Sequence, residues 1–235
     1  MIIQYMSDIH LEFGDMPIPE KKGDVLVLAG DIHVGTRGAN WINECARVFD
    51  DVIFVYGNHE FYNSNFRDLR REFPKLLAGN VHVLDNDTVN IKGRLFVGAT
   101  LWADMLPRAF YAMNDSRVID NGDGKFTYDD MLAEHKMSVR YLLDNAKRGC
   151  VVVTHHAPSS MSIDRARYGD TYLNTGYYTD ILHFFEDKKP TLWICGHTHS
   201  VRKYTEHDIR VVANCRGYAG YDPVWDFKSV RTVKV

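Results

Sequence analysis

The 235-residue sequence has only four cysteines, Cys45, Cys150, Cys195 and Cys215, far apart and with no CxxC pair. That spacing argues against a disulfide framework or a thiolate zinc site and suits a reducing cytoplasm. Positive charge is not in excess: 28 Lys and Arg stand against 31 Asp and Glu, a formal charge of -3. The chain as a whole therefore lacks the field that drives sequence-independent nucleic-acid binding. No run is long and apolar enough to span a bilayer. Met1 to Asp8 has no basic flank, apolar run or small-residue cleavage site of the kind a signal peptide carries. We therefore expect a cytoplasmic protein with no membrane partner and no strong nucleic-acid signal. No repeat, Pro/Gly/Ser linker or low-complexity stretch divides the chain, so residues 1–235 are expected to form one domain.

What is present is a series of short apolar runs that read as buried strands: Ile2–Tyr5, Val25–Ala29, Val52–Val55, Leu95–Val97, Val151–Val153, Leu192–Cys195 and Arg210–Ala213. Helical patterning lies between several of them, over Ala39–Phe49, Phe66–Leu77, Tyr128–Ala146 and Thr179–Phe185. The alternation predicts an α/β architecture with mainly parallel neighbours in the first half. Val81–Val97 reads instead as hairpins split at Asn86-Asp87 and Lys92-Gly93, which makes the sheet system mixed. Residues 103–127 and 157–177 show no clear periodicity, and long ordered loops tend to be functional.

Five of the strands are followed at once by metal-type residues: Asp8-Ile9-His10, Gly30-Asp31, Gly57-Asn58-His59-Glu60, His155-His156 and Gly196-His197-Thr198-His199. In open α/β sheets ligands bind beyond the carboxyl ends of the strands, so the five clusters are expected to converge on one rim. The spacing of Asp8 and His10, and of His197 and His199, puts each pair on one side of an extended segment. Glycine before Asp31, Asn58 and His197 allows the turn and the close approach that a crowded ion site needs. A lone Asp or His after a strand is more often a cap or a satisfied core group. Five together, buried without a cation, would leave unpaired polar groups costing about several kcal/mol each. Carboxylate and imidazole without thiolate favour Mn, Fe, Zn or Co over structural zinc.

The combined pattern resembles the calcineurin-like binuclear metallophosphoesterases, of the small stand-alone bacterial or phage type. The resemblance implies an α/β (α+β mixed) fold in which two packed mixed sheets are flanked by helices, an αββα sandwich. It implies two divalent ions, Mn first and Fe, Zn, Co or Ni as the alternatives. Asp8, His10 and His199 would hold one ion and Asn58, His155 and His197 the other, with Asp31 between them. His59 would face the scissile phosphate from outside the coordination shell, beside Glu60. A hydroxide shared by the ions would then attack phosphorus in line, with His59 protonating the leaving oxygen or hydrogen-bonding the transition-state oxygens, or else only orienting Asp8 or the hydroxide.

The substrate is less legible. The protein-phosphatase branch of that superfamily reads Gly-Asp-x-x-Asp-Arg-Gly at its second motif, whereas this chain has Gly30-Asp31-Ile32-His33-Val34-Gly35. Loss of the acid and of the phosphate-clamping arginine disfavours a Ser/Thr-type protein phosphatase. A phosphomonoesterase, and a metal-dependent binding module without turnover, stay as alternatives to hydrolysis of phosphodiester or nucleotide-type small substrates. Candidate substrate contacts are Arg216, His156, Asn114 and Tyr218, with Asp115 as a pocket or turn residue. Aromatics of 168–178 and 218–225 could stack a base. His155, delivered first by the run Val151–Thr154, is taken as the ligand and His156 as its neighbour. Asp120–Phe126 looks like a calcium loop, with Asn121, Asp123 and Asp130 at ligand positions, but Ile119 stands where a carboxylate is required, so it reads as a glycine-rich turn.

Overall fold

The computed structural model describes residues 1–235. β1 (Ile2–Met6), β2 (Val25–Leu28), β3 (Val52–Phe54) and β4 (Val81–Val83) run parallel in one sheet. A second sheet holds β5 (Asp87–Ile91), β6 (Arg94–Ala99), β7 (Val151–Thr154), β8 (Leu192–Cys195), β9 (Val201–Glu206) and β10 (Ile209–Asn214), in the order β5-β6-β7-β8-β10-β9. Its four central strands are parallel and its two edges antiparallel. A short hairpin, β11 (Gly217–Tyr218) with β12 (Asp222–Pro223), follows, and β13 (Thr232–Lys234) returns antiparallel to β1. The helices are α1 (Ala39–Val48), α2 (Phe66–Glu72), α3 (Pro107–Ala112), α4 (Asp115–Val118), α5 (Tyr128–Asn145) and α6 (Arg165–Tyr168).

Side-chain alternation explains the layers. Ile3, Tyr5, Val25, Val27, Ile53 and Val55 face Phe96, Val151, Val153, Ile194 and Val212 in a core between the sheets. The intervening Leu26, Leu28, Val52 and Phe54 pack on Ile42, Cys45, Phe66 and Leu69 of α1 and α2. On the other side Val97, Val152, Trp193 and Cys195 pack on Leu142 of α5. Strands buried on both faces read as continuous apolar runs for this reason. The order is helix, sheet, sheet, helix, the αββα sandwich that was expected. No helix is long and apolar enough to cross a membrane.

Three local expectations are corrected. Val81–Val97 forms one hairpin, not several: β5 and β6 turn at Lys92-Gly93, both left-handed, whereas β4 lies parallel to β3 after the α2 crossover. Asn86, with φ 54°, marks the passage from one sheet to the other. Thr179–Phe185 is not an α-helix but irregular chain ending in a 3-10 turn, Leu182–Phe185. Its backbone is drawn away by 157–158, since the Thr179 and Ile181 N–H groups donate to the Ala157 and Pro158 carbonyls. The helix begun at Phe66 becomes a 3-10 turn at Phe73–Leu76, where Pro74 offers no backbone donor. In the calcium-like loop Asp120 pairs with Lys125 at 2.7 Å, and Asp130 closes the capping box of α5 with Thr127.

At Gly98 on β6 the packing leaves no room for a side chain, since a Cβ there would lie 2.5 Å from Leu84 Cβ and 3.0 Å from Val55 Cγ1. Gly98→Ala is expected to destabilise the protein by about 1–3 kcal/mol through overpacking. Urea unfolding followed by circular dichroism measures this, and an unchanged midpoint would show that the sheets yield there.

Candidate metal centre

The parallel strands deliver all five clusters to one end of the sandwich. Asp8 and His10 follow β1, Asp31 follows β2, Asn58 and His59 follow β3, His155 follows β7, and His197 and His199 follow β8. The backbone there is not the extended chain that the alternating spacing implied. Asp8, His10, Asp31, His197 and His199 all have positive φ, between 42° and 65°. The ladder has ended, so left-handed kinks, not strand alternation, turn these side chains inward. Asp and His tolerate that region better than bulkier residues do. Of the three glycines, only Gly30 needs its freedom of φ, at 86°. Gly57 is needed for space, because a Cβ would fall 2.0 Å from Asp31 Oδ1.

Two groups of ligand atoms meet at Asp31. His155 Nε2 lies 3.0 Å from His197 Nδ1, 3.1 Å from Asn58 Oδ1 and 3.4 Å from Asp31 Oδ2. His10 Nε2 lies 3.1 Å from His199 Nε2 and 3.6 Å from the same Asp31 oxygen, and His199 Nε2 is 3.5 Å from Asp8 Oδ1. Asp8 belongs spatially to both groups.

The neighbours fix which atoms face inward. His155 Nδ1 donates to the Ala29 carbonyl at 2.9 Å, which leaves Nε2 for the cluster. Asn58 Nδ2 donates to Asp115 at 2.9 Å and to the Tyr62 hydroxyl at 3.1 Å, which turns Oδ1 inward. Glu60 is buried and accepts from the N–H groups of Asp31, Ile32 and Gly57, tying the β2 and β3 loops together. Burial and the Asp31 charge push Glu60 up to about 7 against those three donors.

Divalent cations fit this donor set. Two imidazole nitrogens 3.0 Å apart can share at most one proton, and a carboxylate oxygen and an amide oxygen crowd the same space. Burial opposes a charge on His155, yet Asp31 and Asp8 push it up to about 9, so the site favours positive charge at that nitrogen. Burial and His155 hold His197 well below its ordinary value, so one proton cannot satisfy the group and a shared cation can.

Glu12 is the functional residue that the sequence reading missed. Its Oε1 lies 2.9 Å from His10 Nδ1 and 2.9 Å from His59 Nδ1, so one carboxylate orients both histidines together. Burial would raise Glu12, but the hydrogen bonds from His10 and His59 hold it at about 2. The signal was the run Asp8-x-His10-x-Glu12, read only as far as its second member. His59 also donates its backbone N–H to Asp31 at 2.9 Å and stacks on Tyr62. It stands close to His10 and Asp31, with Nδ1 engaged by Glu12 and Nε2 left for the cavity.

A cavity of about 400 Å³ opens over the cluster, with Asp31, Asn58, His59, His197 and His199 on its floor. Tyr62, Tyr168, Tyr177 and Tyr218 form walls, with Asn114 among the polar lining. Tyr218 lies 4.5 Å from the His10 and His199 rings. Tyr221 and Trp225 instead point to solvent, 81% and 92% exposed. A larger groove of about 790 Å³ along α5 and residues 175–184 holds no comparable group of ligand atoms.

Arg216 and His156 are placed elsewhere than on the cavity wall. Arg216 donates at 2.8 Å to the carbonyls of Ile9, Gly14 and Asp15, so it holds the Asp8–Asp15 loop in shape. His156 is fully buried between Trp102 and His197, where burial keeps it neutral. Asp115, buried, orients Asn58 from outside the cavity lining.

The family model for calcineurin-like phosphoesterases matches residues 4–201, which contain every ligand-type residue above. The chain belongs to the calcineurin-like phosphoesterases. As a member it is a metal-dependent phosphoesterase, of a family that is typically binuclear. Over 263 aligned residues this phosphoesterase is 25% identical to the uncharacterized protein L509 of Acanthamoeba polyphaga mimivirus, covering 93% of this chain and 91% of that one. Its fold is similar to that of a phosphopantetheinyl hydrolase from Mycobacterium tuberculosis, with a TM-score of 0.71 at 16% identity over 98% of this chain and 95% of the other. A putative 5'-nucleotidase from Staphylococcus aureus aligns with a TM-score of 0.52 at 14% identity, over 91% of this chain and 48% of its own.

Two outcomes follow for metal content measured by mass spectrometry. His155→Ala is expected to lose bound metal and His156→Ala to retain it; greater loss from His156→Ala would reverse the assignment. Glu12→Ala is expected to weaken metal affinity or activity by about 10–100-fold, the usual cost of losing a partner that orients a ligand. Unchanged affinity and activity would make Glu12 a bystander.

Proposed function

We propose that residues 1–235 form one metallophosphoesterase catalytic domain that hydrolyses small phosphoesters of the phosphodiester or nucleotide type. The carrying observation is that Asp31 Oδ2 lies within 3.6 Å of ligand nitrogens from both groups, on the floor of a cavity sized for a small molecule. In this reading Asp8, His10 and His199 hold one ion, Asn58, His155 and His197 the second, and Asp31 serves both. Two divalent cations there supply Lewis-acid polarisation of the phosphoryl oxygens and activation of water. Manganese is our first choice for a site of imidazole, carboxylate and amide oxygen without thiolate. The four buried free cysteines suit a cytoplasmic location.

The chain's own contribution centres on His59. Glu12 holds its Nδ1, so the Nε2–H is directed to the cavity, where it donates to the leaving-group oxygen. Burial opposes its charge, but Asp31 and Glu12 raise its pKa and keep the proton available. The tyrosine walls exclude bulk water and present π-faces to an aromatic leaving group. Val34 and Gly35, in place of an acid and an arginine, support a small substrate over a phosphoprotein.

The test is hydrolysis of a chromogenic phosphodiester with added manganese. Chelator-treated protein is expected to be inactive and to recover with metal; full activity after chelation would overturn the reading. His59→Ala is expected to keep its metal and lose about 10²–10⁴ in rate, with a smaller loss for leaving groups that need no proton. Equal loss across leaving groups of very different basicity would leave His59 only an electrostatic role.

A further inference from the structure

No lysine and no arginine lines the cavity over the metal centre. Arginines that contact its lining are already engaged. Arg167 pairs with Asp222 and donates to the carbonyls of His199 and Pro223. Arg117 donates to the side chain of Asn114. The surroundings are acidic as well: Asp8, Asp31, Glu60 and Asp115 are buried around the cluster, and Glu12 is 13% exposed. Asp8, Asp31 and Glu12, the carboxylates in contact with the histidine nitrogens, alone offset three of the four charges that two divalent cations would bring. No lysine or arginine is left over to balance a phosphoryl group carrying two negative charges, and His59 on the cavity floor is already paired with Glu12 at 2.9 Å.

What the lining offers instead is phenol. The Tyr218 ring lies over His10 and His199, and the Tyr177 ring lies 4.9 Å from His197, so one tyrosine covers each ligand group. Tyr62 and Tyr168 donate to Asp115 and to the His199 carbonyl, whereas the Tyr177 and Tyr218 hydroxyls have no partner within the protein. Phenols of this kind are neutral donors at neutral pH. A neutral donor is worth roughly half a charged one, enough for a monoanion beside two metals and a poor substitute for a guanidinium clamp on a dianion. Beyond the tyrosines, Met113, Ile163 and Leu173 give the cavity an apolar flank.

Resting on the hydrolytic reading above, we propose that this cavity selects monoanionic phosphodiesters over dianionic phosphomonoesters. The hydroxyls of Tyr177 and Tyr218 donate to the phosphoryl oxygens in place of a cationic clamp, and an uncharged second ester arm lies on Met113, Ile163 and Leu173. Cyclic or bridged nucleotides fit this description. Mononucleotides with a terminal phosphate do not.

The test uses the manganese-loaded full chain and two readouts. Binding is measured by calorimetry for diphenylphosphinate, a monoanion with two arms, and for phenylphosphonate, at a pH where the latter is a dianion. Turnover is measured for bis(4-nitrophenyl) phosphate against 4-nitrophenyl phosphate. We expect at least about tenfold preference for the monoanion in binding and for the diester in kcat/KM. Tyr177→Phe and Tyr218→Phe are expected to lower diester kcat/KM several-fold at unchanged metal content. Leu173→Arg, which adds the missing cation to a half-buried position, is expected to shift the diester-to-monoester ratio at least about tenfold toward the monoester. Equal or stronger binding of phenylphosphonate, a monoester preference in turnover, or a ratio indifferent to Leu173→Arg would overturn the charge selection. Monoester turnover would leave the hydrolase reading standing. Monoanion-selective binding without turnover of either ester would uphold the selection and overturn the hydrolase reading.

Discussion

The structure depends on the crowding of acceptor atoms around one carboxylate oxygen, Asp31 Oδ2. Imidazole nitrogens from His10 and His155 approach it at 3.6 and 3.4 Å, and each is itself about 3 Å from another imidazole nitrogen. Such groups, buried together, cannot be satisfied by one another's protons; a cation at each focus would turn their mutual repulsion into attraction. Much of the surrounding architecture serves that approach. The left-handed kinks at five ligand-type residues store strain that only an over-determined site would keep. The void at Gly57 lets the β3 loop lie against Asp31, and Glu60 gathers the backbone N–H groups that would otherwise be orphaned there.

Parallel strands make the convergence possible. Because β1, β2 and β3 point the same way in one sheet and β7 and β8 in the other, each strand ends on the same rim and contributes one or two side chains. A second ring then sets the orientation of the first: the Ala29 carbonyl for His155, Asp115 for Asn58, Glu12 for His10 and His59, and Arg216 for the loop that carries Asp8 and His10. Outside both rings the cavity is walled by tyrosines and apolar side chains from the connections after β3, β6 and β7 and from the β11–β12 hairpin.

The strands and the ligand-type residues were legible because each signal is local and chemically unusual. A run such as Val151–Thr154 followed by His155-His156 states both a buried strand and an ion site. What was not legible depends on long-range pairing. β4 and β5 carry similar alternating residues, and only the packing of the sheets separates them. Thr179–Phe185 has helical composition, but the backbone of 157–158 captures its donors. Arg216 follows a strand, as a phosphate-binding arginine would, yet three carbonyls 200 or more residues earlier hold its guanidinium. Glu12 escaped notice because a carboxylate that orients histidines has no signature beyond its spacing.

The central claim is that one carboxylate joins two cation sites, and anomalous diffraction from manganese-loaded crystals measures it directly. Two anomalous peaks are expected, one among Asp8, His10 and His199 and one among Asn58, His155 and His197, both within bonding distance of Asp31. A single peak, or two that do not share Asp31, would contradict the account.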